Sequence, residues 1–217
     1  MKHLIPITII FLIFNQHVFA QTNLKPAFNT CKIDSVNLPK DIIYKGNFNQ
    51  AVKWKDESGE NLVLLTETGN YYNEKFNHDN EGGDAEIFAY HFLLKNNTST
   101  QTWRIYDFIS DCPVDYFATF IKNSFQVTDL NHDGIAEIWV MYKKTCRGDV
   151  GPSDMKIIMY QGDQKFAVRG HDKVIIVADE KENNINNGGD YTLDNNFLNG
   201  PKEFSEFAKK MWDNNLE

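Results

Sequence analysis

The sequence predicts a mainly β protein: an antiparallel meander of about eight strands, in propeller-blade-like or sandwich-like sheets, with one C-terminal amphipathic helix. Two observations support this prediction. Apolar segments of strand length follow one another and are separated by short polar turns, which favours antiparallel neighbours. Near the C-terminus, apolar residues recur instead at the spacing of a helix.

The chain begins with a segment typical of a secretory signal peptide. A basic start precedes an apolar run over residues 4–14, and cleavage is expected after Ala20. The run is shorter than the roughly 20 residues of a membrane span. We therefore expect a mature chain without a membrane span, exported to the periplasm, the cell surface or the medium. Residues 21–45 are expected to form an irregular lead-in to a single β-rich domain over 46–217.

The predicted strands have the alternating or fully apolar patterns of half-buried and buried strands. Turn residues such as those of 56–61 and Gly162-Asp163 separate them. Residues 179–196, rich in Asn, Gly and Asp, are expected to form a loop. The predicted strands are 50–55, 62–66, 86–94, 103–109, one ending near Thr128, 138–143, 155–160 and 165–168.

A helix is predicted over residues 201–213. Pro201 suits the first turn of a helix, and the apolar residues that follow form one stripe. We expect this stripe to pack on a sheet; docking onto a partner protein is the alternative. The residues of the stripe are Phe204, Phe207, Ala208, Met211 and Trp212.

Residues 129–137 have the spacing of a calcium loop. Side-chain oxygens alternate along the first half, and Gly134 at the sixth position tolerates the positive φ that reverses the chain. Calcium binds such hard oxygen ligands from side chains and carbonyls. An Asx-rich turn without an ion is the alternative. The expected ligands are Asp129, Asn131, Asp133, the carbonyl of Ile135, and Glu137.

The loop differs from an EF-hand, which needs a Glu at position 12, where this chain has Val140 between strand patterns. Asp-x-Asn-x-Asp-Gly-x-x-Glu between strands resembles the calcium loop of FG-GAP or VCBS-type repeats, found in integrin-like propellers and many exported bacterial proteins. That family usually ends the loop in Asp, where this chain has Glu137. Residues 129–156 are also similar to small exported bacterial proteins labelled as surface polysaccharide biosynthesis proteins, which implies a role at the cell envelope.

The calcium loop has a weak internal echo. The spacing of Val52, Trp54, Asp56 and Gly59 repeats from Val127 to Gly134. Trp54 stands where the first ligand would be, so the first copy is expected to be a metal-free unit. The chain is short for a closed propeller, which favours one or two antiparallel sheets.

Three cysteines are present, and an exported chain is expected to form a disulfide. Cys112 precedes one strand region and Cys146 follows the strand after the loop, so we expect these two to pair. Cys31 is then left free, although its pairing with either partner remains an alternative.

The composition argues against nucleic acid as a partner. The formal net charge is −8, whereas phosphate backbones need basic patches. An acidic chain suits divalent cations, and the expected cofactor is Ca²⁺. The expected partners are an envelope polysaccharide or another envelope protein.

No catalytic residue is predicted, because the motifs of common hydrolases and of phosphate-binding loops are absent from the sequence. His91, within an aromatic strand, is expected to be a satisfied core histidine. We expect a non-catalytic binding or scaffold protein with a structural calcium loop. One alternative is a carbohydrate-active enzyme using carboxylates near 84–86 or 149–154. Another is an adhesin presenting Arg147-Gly148-Asp149.

Overall fold

The structure is a computed structural model that describes residues 28–177 and 184–216. The predicted signal peptide lies outside the described residues, as do residues 21–27 of the lead-in and part of the loop predicted over 179–196. Among the described residues, no helix combines the length and apolar character needed to cross a bilayer.

The described residues form thirteen strands and two α-helices. The strands are β1 (Cys31–Ile33), β2 (Asn47–Asp56), β3 (Gly59–Tyr71), β4 (Gly83–Lys95), β5 (Thr98–Cys112), β6 (Asp115–Phe120), β7 (Gln126–Thr128), β8 (Glu137–Arg147), β9 (Asp154–Gln161), β10 (Gln164–His171), β11 (Lys173–Val177), β12 (Asn184–Gly188) and β13 (Tyr191–Leu193); the helices are α1 (Asn195–Asn199) and α2 (Lys202–Asp213).

The strands form two main antiparallel sheets. The N-terminal sheet has the order β1-β2-β3-β4-β5, so each strand pairs with its neighbour in sequence. The C-terminal sheet has the order β13-β10-β9-β8-β6, and β7 also pairs with β8. Strands β11 and β12 form a separate two-stranded ribbon. The fold is thus a meander of hairpins, interrupted only in the C-terminal sheet.

The two main sheets pack face to face on a shared apolar core, as in a sandwich. Alternate residues of each strand point inward, and the ring of Trp103 stacks on that of Tyr160 with centroids 4.3 Å apart. This stack joins β5 to β9 across the interface. Other buried members of this core include Val52, Trp54, Val63, Ile87, Ile105, Ile138, Val140 and Ile158.

The outer face of the C-terminal sheet is covered by the two helices. Phe204, Ala208 and Trp212 of α2 are fully buried against β8, β9 and β10. The predicted amphipathic helix is therefore confirmed, and its apolar stripe packs on a sheet. The short helix α1, which precedes α2, adds Phe197 to the same layer.

The outer face of the N-terminal sheet is covered by the segment before β2. Ile42 is buried there, and Tyr44 and Phe48 pack against the same cluster. Strand β1 lies within the segment expected to be irregular and pairs with β2. Three residues are too few to show an alternating pattern, so no strand is predicted at this position.

The predicted fold class is confirmed: the chain is mainly β and antiparallel, with a C-terminal helix. All eight predicted strands are present, and most extend further than predicted. The additional strands are short or lack apolar alternation. The segment expected to be a loop contains β12, β13 and the start of α1; Asn- and Gly-rich strands such as β12 carry no strand signal.

Candidate functional site

The predicted calcium loop lies between β7 and β8, so the strand–loop–strand arrangement is as predicted. His132 and Gly134 both have positive φ, 58° and 80°. A Cβ atom on Gly134 would lie 2.6 Å from Cγ of Glu57. Glycine at this position therefore meets two requirements, the left-handed backbone and the close approach of a neighbouring hairpin.

Two predicted ligands form the exposed rim of the loop. Oδ1 of Asp133 accepts a hydrogen bond from the backbone N–H of Ile135 at 2.8 Å. Oδ2 accepts from Nδ2 of Asn131 at 2.9 Å and from Nε2 of Gln161 at 2.9 Å. Gln161 comes from the end of β9 and pairs in register with Glu137. No spacing pattern in the sequence predicts this contact between Gln161 and the loop.

Glu137 lies at the base of the loop and is fully buried. Its carboxylate accepts from the hydroxyl of Thr128 at 2.7 Å and from the backbone N–H of Leu130 at 2.9 and 3.1 Å. Burial raises the pKa of this carboxyl above its ordinary value, although the hydrogen bonds act in the opposite direction. Glu137 thus ties the two ends of the loop together.

The carboxylates of the loop are not gathered around one point. Within residues 28–177 and 184–216, no group of three or more His, Cys, Asp or Glu side chains is placed to hold a metal ion. Amide and carbonyl oxygens, which also bind calcium, lie beside them in the loop. The calcium ligand set therefore stays a prediction.

Asp129 differs from the other residues of the loop. Its Oδ1 atom is buried and has no hydrogen-bond partner among the described residues. A buried carboxylate oxygen without a partner is costly, because the desolvation of the charge is uncompensated. A cation beside the loop would supply the missing interaction.

The turn between β2 and β3 packs directly against this loop. The backbone N–H of Glu57 donates to the carbonyl of Gly134 at 3.0 Å, and the N–H of Ala136 donates to Oδ2 of Asp56 at 3.2 Å. This turn is the first copy of the weak internal echo. The two copies of the spacing are therefore in contact.

Asp56 organises that turn. Its carboxylate also accepts from Nε1 of Trp54 at 3.1 Å, from the N–H of Ser58 at 2.8 Å and from Nδ2 of Asn61 at 2.9 Å. Burial alone would raise the pKa of the carboxyl, but these hydrogen bonds outweigh it and the pKa is lowered. Asp56 is not among the predicted site residues, and the echo in spacing is the one sequence signal at this position.

A polar chain runs from Asp56 into the core. The amide oxygen of Asn61 accepts from Nε2 of His91 at 3.0 Å, and Nδ1 of His91 accepts from the hydroxyl of Thr102 at 2.5 Å. Burial lowers the pKa of His91 to about 4, so the ring is neutral at physiological pH. His91 is a satisfied core histidine, as expected.

The candidate carboxylates near residue 84 are buried and already have partners. Asp84 is fully buried and accepts from backbone N–H groups of Asn73 and Asp111 at 2.6 and 3.0 Å. Glu86 is 2% exposed, accepts from the hydroxyl of Tyr106 at 2.7 Å and pairs with Lys45. Carboxylates held this way anchor loops and are poorly placed to meet a glycan.

The predicted disulfide is confirmed. Cys112 and Cys146 are joined, with sulfur atoms 2.01 Å apart. The bond links the end of β5 to β8 and so fastens the N-terminal sheet to the C-terminal sheet. Cys31 is free and exposed on β1.

The Arg147-Gly148-Asp149 tripeptide follows the disulfide. Arg147 is the last residue of β8, and its Nη1 atom is buried without a hydrogen-bond partner in the described chain. Asp149 accepts from the N–H of Gly151 at 3.0 Å. Because the arginine is not extended into solvent, this geometry does not favour recognition of the tripeptide by an adhesion receptor.

No protein-family model, curated protein or solved structure matches this chain. The resemblances to calcium-loop repeats and to surface polysaccharide proteins therefore rest on the quoted residues alone.

Proposed function

We propose that the chain is an exported protein of the bacterial cell envelope with a structural calcium ion in loop 129–137. Its role is non-catalytic binding or scaffolding linked to surface polysaccharide. The buried, unpartnered Oδ1 of Asp129 is the observation that carries the calcium proposal. It is the one loop carboxylate oxygen that the described chain leaves buried and uncompensated.

The surrounding contacts support an ion with a structural role. The loop joins two paired strands, and the β2–β3 turn packs on its back. An ion that fixes this loop would also hold the N-terminal sheet against the C-terminal sheet. In this arrangement Asn131, Asp133 and the carbonyl of Ile135 supply oxygens at the rim, while Glu137 holds the base or contributes through water.

Two further observations support the role at the envelope and the absence of catalysis. The Cys112–Cys146 disulfide suits an oxidising compartment. The buried carboxylates Asp84 and Glu86 are occupied by structural partners, so they are unsuited to act as a general acid and base.

The test is thermal unfolding in EDTA and in millimolar calcium. A ligand at about 100 times its Kd stabilises the native state by about 2.7 kcal/mol. For a chain of this size that raises Tm by roughly 5–10 °C. We expect Asp129→Ala/Asp133→Ala to abolish the rise.

The matched control is Asp163→Ala/Asp213→Ala, which removes two exposed carboxylates elsewhere. This control should keep the full calcium response. An unchanged Tm in the unsubstituted protein, or an equal response in both variants, would show that the loop is an ordinary turn.

A further inference from the structure

A groove opens at one end of the N-terminal sheet. It lies between residues 39–41, the end of β2 and the β4–β5 hairpin, and its volume is about 1050 Å³. Sites for small ligands usually measure about 300–1,000 Å³, so the groove can hold a ligand of several sugar units. One wall of the groove is the β2–β3 turn at Ser58, whose neighbour Glu57 contacts the calcium loop.

Four lysines line the groove: Lys40, Lys53, Lys55 and Lys95. None of them forms an ion pair within 4 Å in the described part of the chain, so what sets them apart from other unpaired lysines, such as Lys122 and Lys209, is that they line one concave surface. The groove lysines therefore present positive charges that no ion pair within the described residues neutralises.

The two carboxylates in the groove offset only part of these charges. Asp41 is engaged by the hairpin, since it accepts from the backbone N–H of Ser99 at 2.6 Å and from its hydroxyl at 2.9 Å. Glu60 lies opposite Lys55 in the register of β2 and β3, yet the two side chains make no ion pair. Four cationic groups thus face two anionic ones, in a chain with a net charge of −8.

The walls of the groove also offer neutral hydrogen-bonding groups. Ser58, Asn96, Asn97 and Thr98 line it from two hairpin turns. Asn96 and Asn97 have φ of 52° and 61°, the conformation of a tight two-residue hairpin, so this wall is well defined. Such side chains suit the hydroxyl groups of sugars.

We propose that this lysine groove binds a segment of an acidic polysaccharide through its carboxylate groups. The inference rests on the proposed polysaccharide-linked function and names its ligand class. The lining contains no aromatic side chain on which a nucleobase could stack. The lysines line a concave surface, which fits an extended chain better than a flat membrane. Lysine ammonium groups act as point charges and accept carboxylates in varied orientations.

The experiment measures binding of the full-length protein to polygalacturonate without added calcium, because calcium itself binds and crosslinks the carboxylates of this glycan. Dextran serves as the neutral glycan, and vesicles containing phosphatidylglycerol and single-stranded DNA serve as other polyanions. We expect binding to polygalacturonate that weakens as salt is raised, and little binding to the other three.

The Lys53→Gln/Lys55→Gln variant should bind polygalacturonate roughly tenfold more weakly, the loss expected for two partly exposed charge contacts. The control Lys122→Gln/Lys209→Gln removes the same charge at exposed positions away from the groove and should stay within about twofold. Equal losses in both variants, no binding by the unsubstituted protein, or equal binding to vesicles or DNA would overturn the proposal.

The calcium-dependent rise in Tm is measured on the same proteins. It should be unchanged in both lysine variants. Failed glycan binding beside an intact calcium response would overturn the groove alone, whereas a missing calcium response would overturn the proposed calcium loop.

Discussion

The β2–β3 turn and the loop between β7 and β8 share a spacing and touch each other, yet Asp56 in the turn and Asp129 in the loop, which stand at different positions of that spacing, have opposite hydrogen-bonding environments. Asp56 accepts hydrogen bonds from Trp54, Ser58, Asn61 and Ala136. Oδ1 of Asp129 is buried and accepts none within the described residues. In the turn, the described residues satisfy the carboxylate by hydrogen bonds. In the loop, a bound cation would supply the interaction that the carboxylate lacks.

The comparison also shows how the two sheets are joined. The turn belongs to the N-terminal sheet and the loop to the C-terminal sheet, and two backbone N–H groups bond across their contact. The turn is held by its own hydrogen bonds, so it provides a rigid surface against which the loop packs. A substitution that disrupts the turn should therefore also destabilise the loop, and added calcium should not restore the lost stability.

The largest expected effect is that of Asp56→Ala. It removes a partly buried acceptor shared by both elements and leaves Nε1 of Trp54 and the N–H of Ala136 without it. Hydrogen bonds to charged groups contribute about 1.5–3 kcal/mol each, and their losses are not additive. We expect a loss of about 3 kcal/mol in the free energy of unfolding, measured with urea at saturating calcium. Asp163→Ala is the control, and a loss below about 1 kcal/mol would contradict the role given to Asp56.

The next effect is a pH dependence on the side of the turn. The pKa of His91 falls from 6.5 to about 4 in the folded state, so the unfolded chain binds the proton more readily. Stability should therefore decrease as pH falls from 6.5 to 4, by about 3 kcal/mol for this group. Urea unfolding across this range should show the decrease, and His91→Gln should flatten it. An equally steep decrease in the variant would assign the effect to other groups.

Glu137 gives the loop a pH dependence of the opposite sign. Its raised pKa means that the folded state holds the proton more readily than the unfolded chain, so this group favours the native state as pH falls. Protonation of His91 at low pH therefore destabilises the folded protein, whereas protonation of Glu137 does not. Calcium would favour the charged form of Glu137 and should reduce its contribution.

The smallest expected effect comes from the contact between Gly134 of the loop and Glu57 of the turn. Gly134→Ala places a Cβ at φ 80° and 2.6 Å from Cγ of Glu57, and should cost about 1–2 kcal/mol. Glu57→Ala removes that Cγ, so part of the cost should disappear in the double variant. Gly162→Ala is the control, since its φ is 58° with no atom within 4 Å. Its cost should be the same with or without Glu57→Ala, as measured by urea unfolding.

Periodic patterns made most of the fold predictable. The long strands and α2 repeat apolar residues at fixed intervals, and the disulfide was predictable because both of its cysteines lie beside predicted strands. Strand β12, with the sequence Asn-Ile-Asn-Asn-Gly, carries no such pattern, and its composition predicts a loop instead. It is held by pairing with β11, which is a tertiary property.

The site was predictable only where it is local in sequence. Residues 129–137 are contiguous, so their spacing alone predicts the loop. Asp56 contacts Ala136 although the two residues are 80 positions apart in the sequence. The lysine groove has the same character, since its lysines come from the lead-in, β2 and β4. A single sequence contains no spacing rule that connects such residues.

The order of strand pairing bears on how the chain folds. Every pair in the N-terminal sheet joins consecutive strands, so that sheet can form hairpin by hairpin as the chain becomes available. The C-terminal sheet includes β13, which follows β10 in the sequence by about twenty residues, and α2 covers its outer face. Before α2 packs on this face, the apolar side chains of Trp139, Met141 and Ile157 would be exposed on the C-terminal sheet. The twelve residues of α2 cover this apolar surface, and we expect a variant that lacks them to aggregate more readily than the unsubstituted protein.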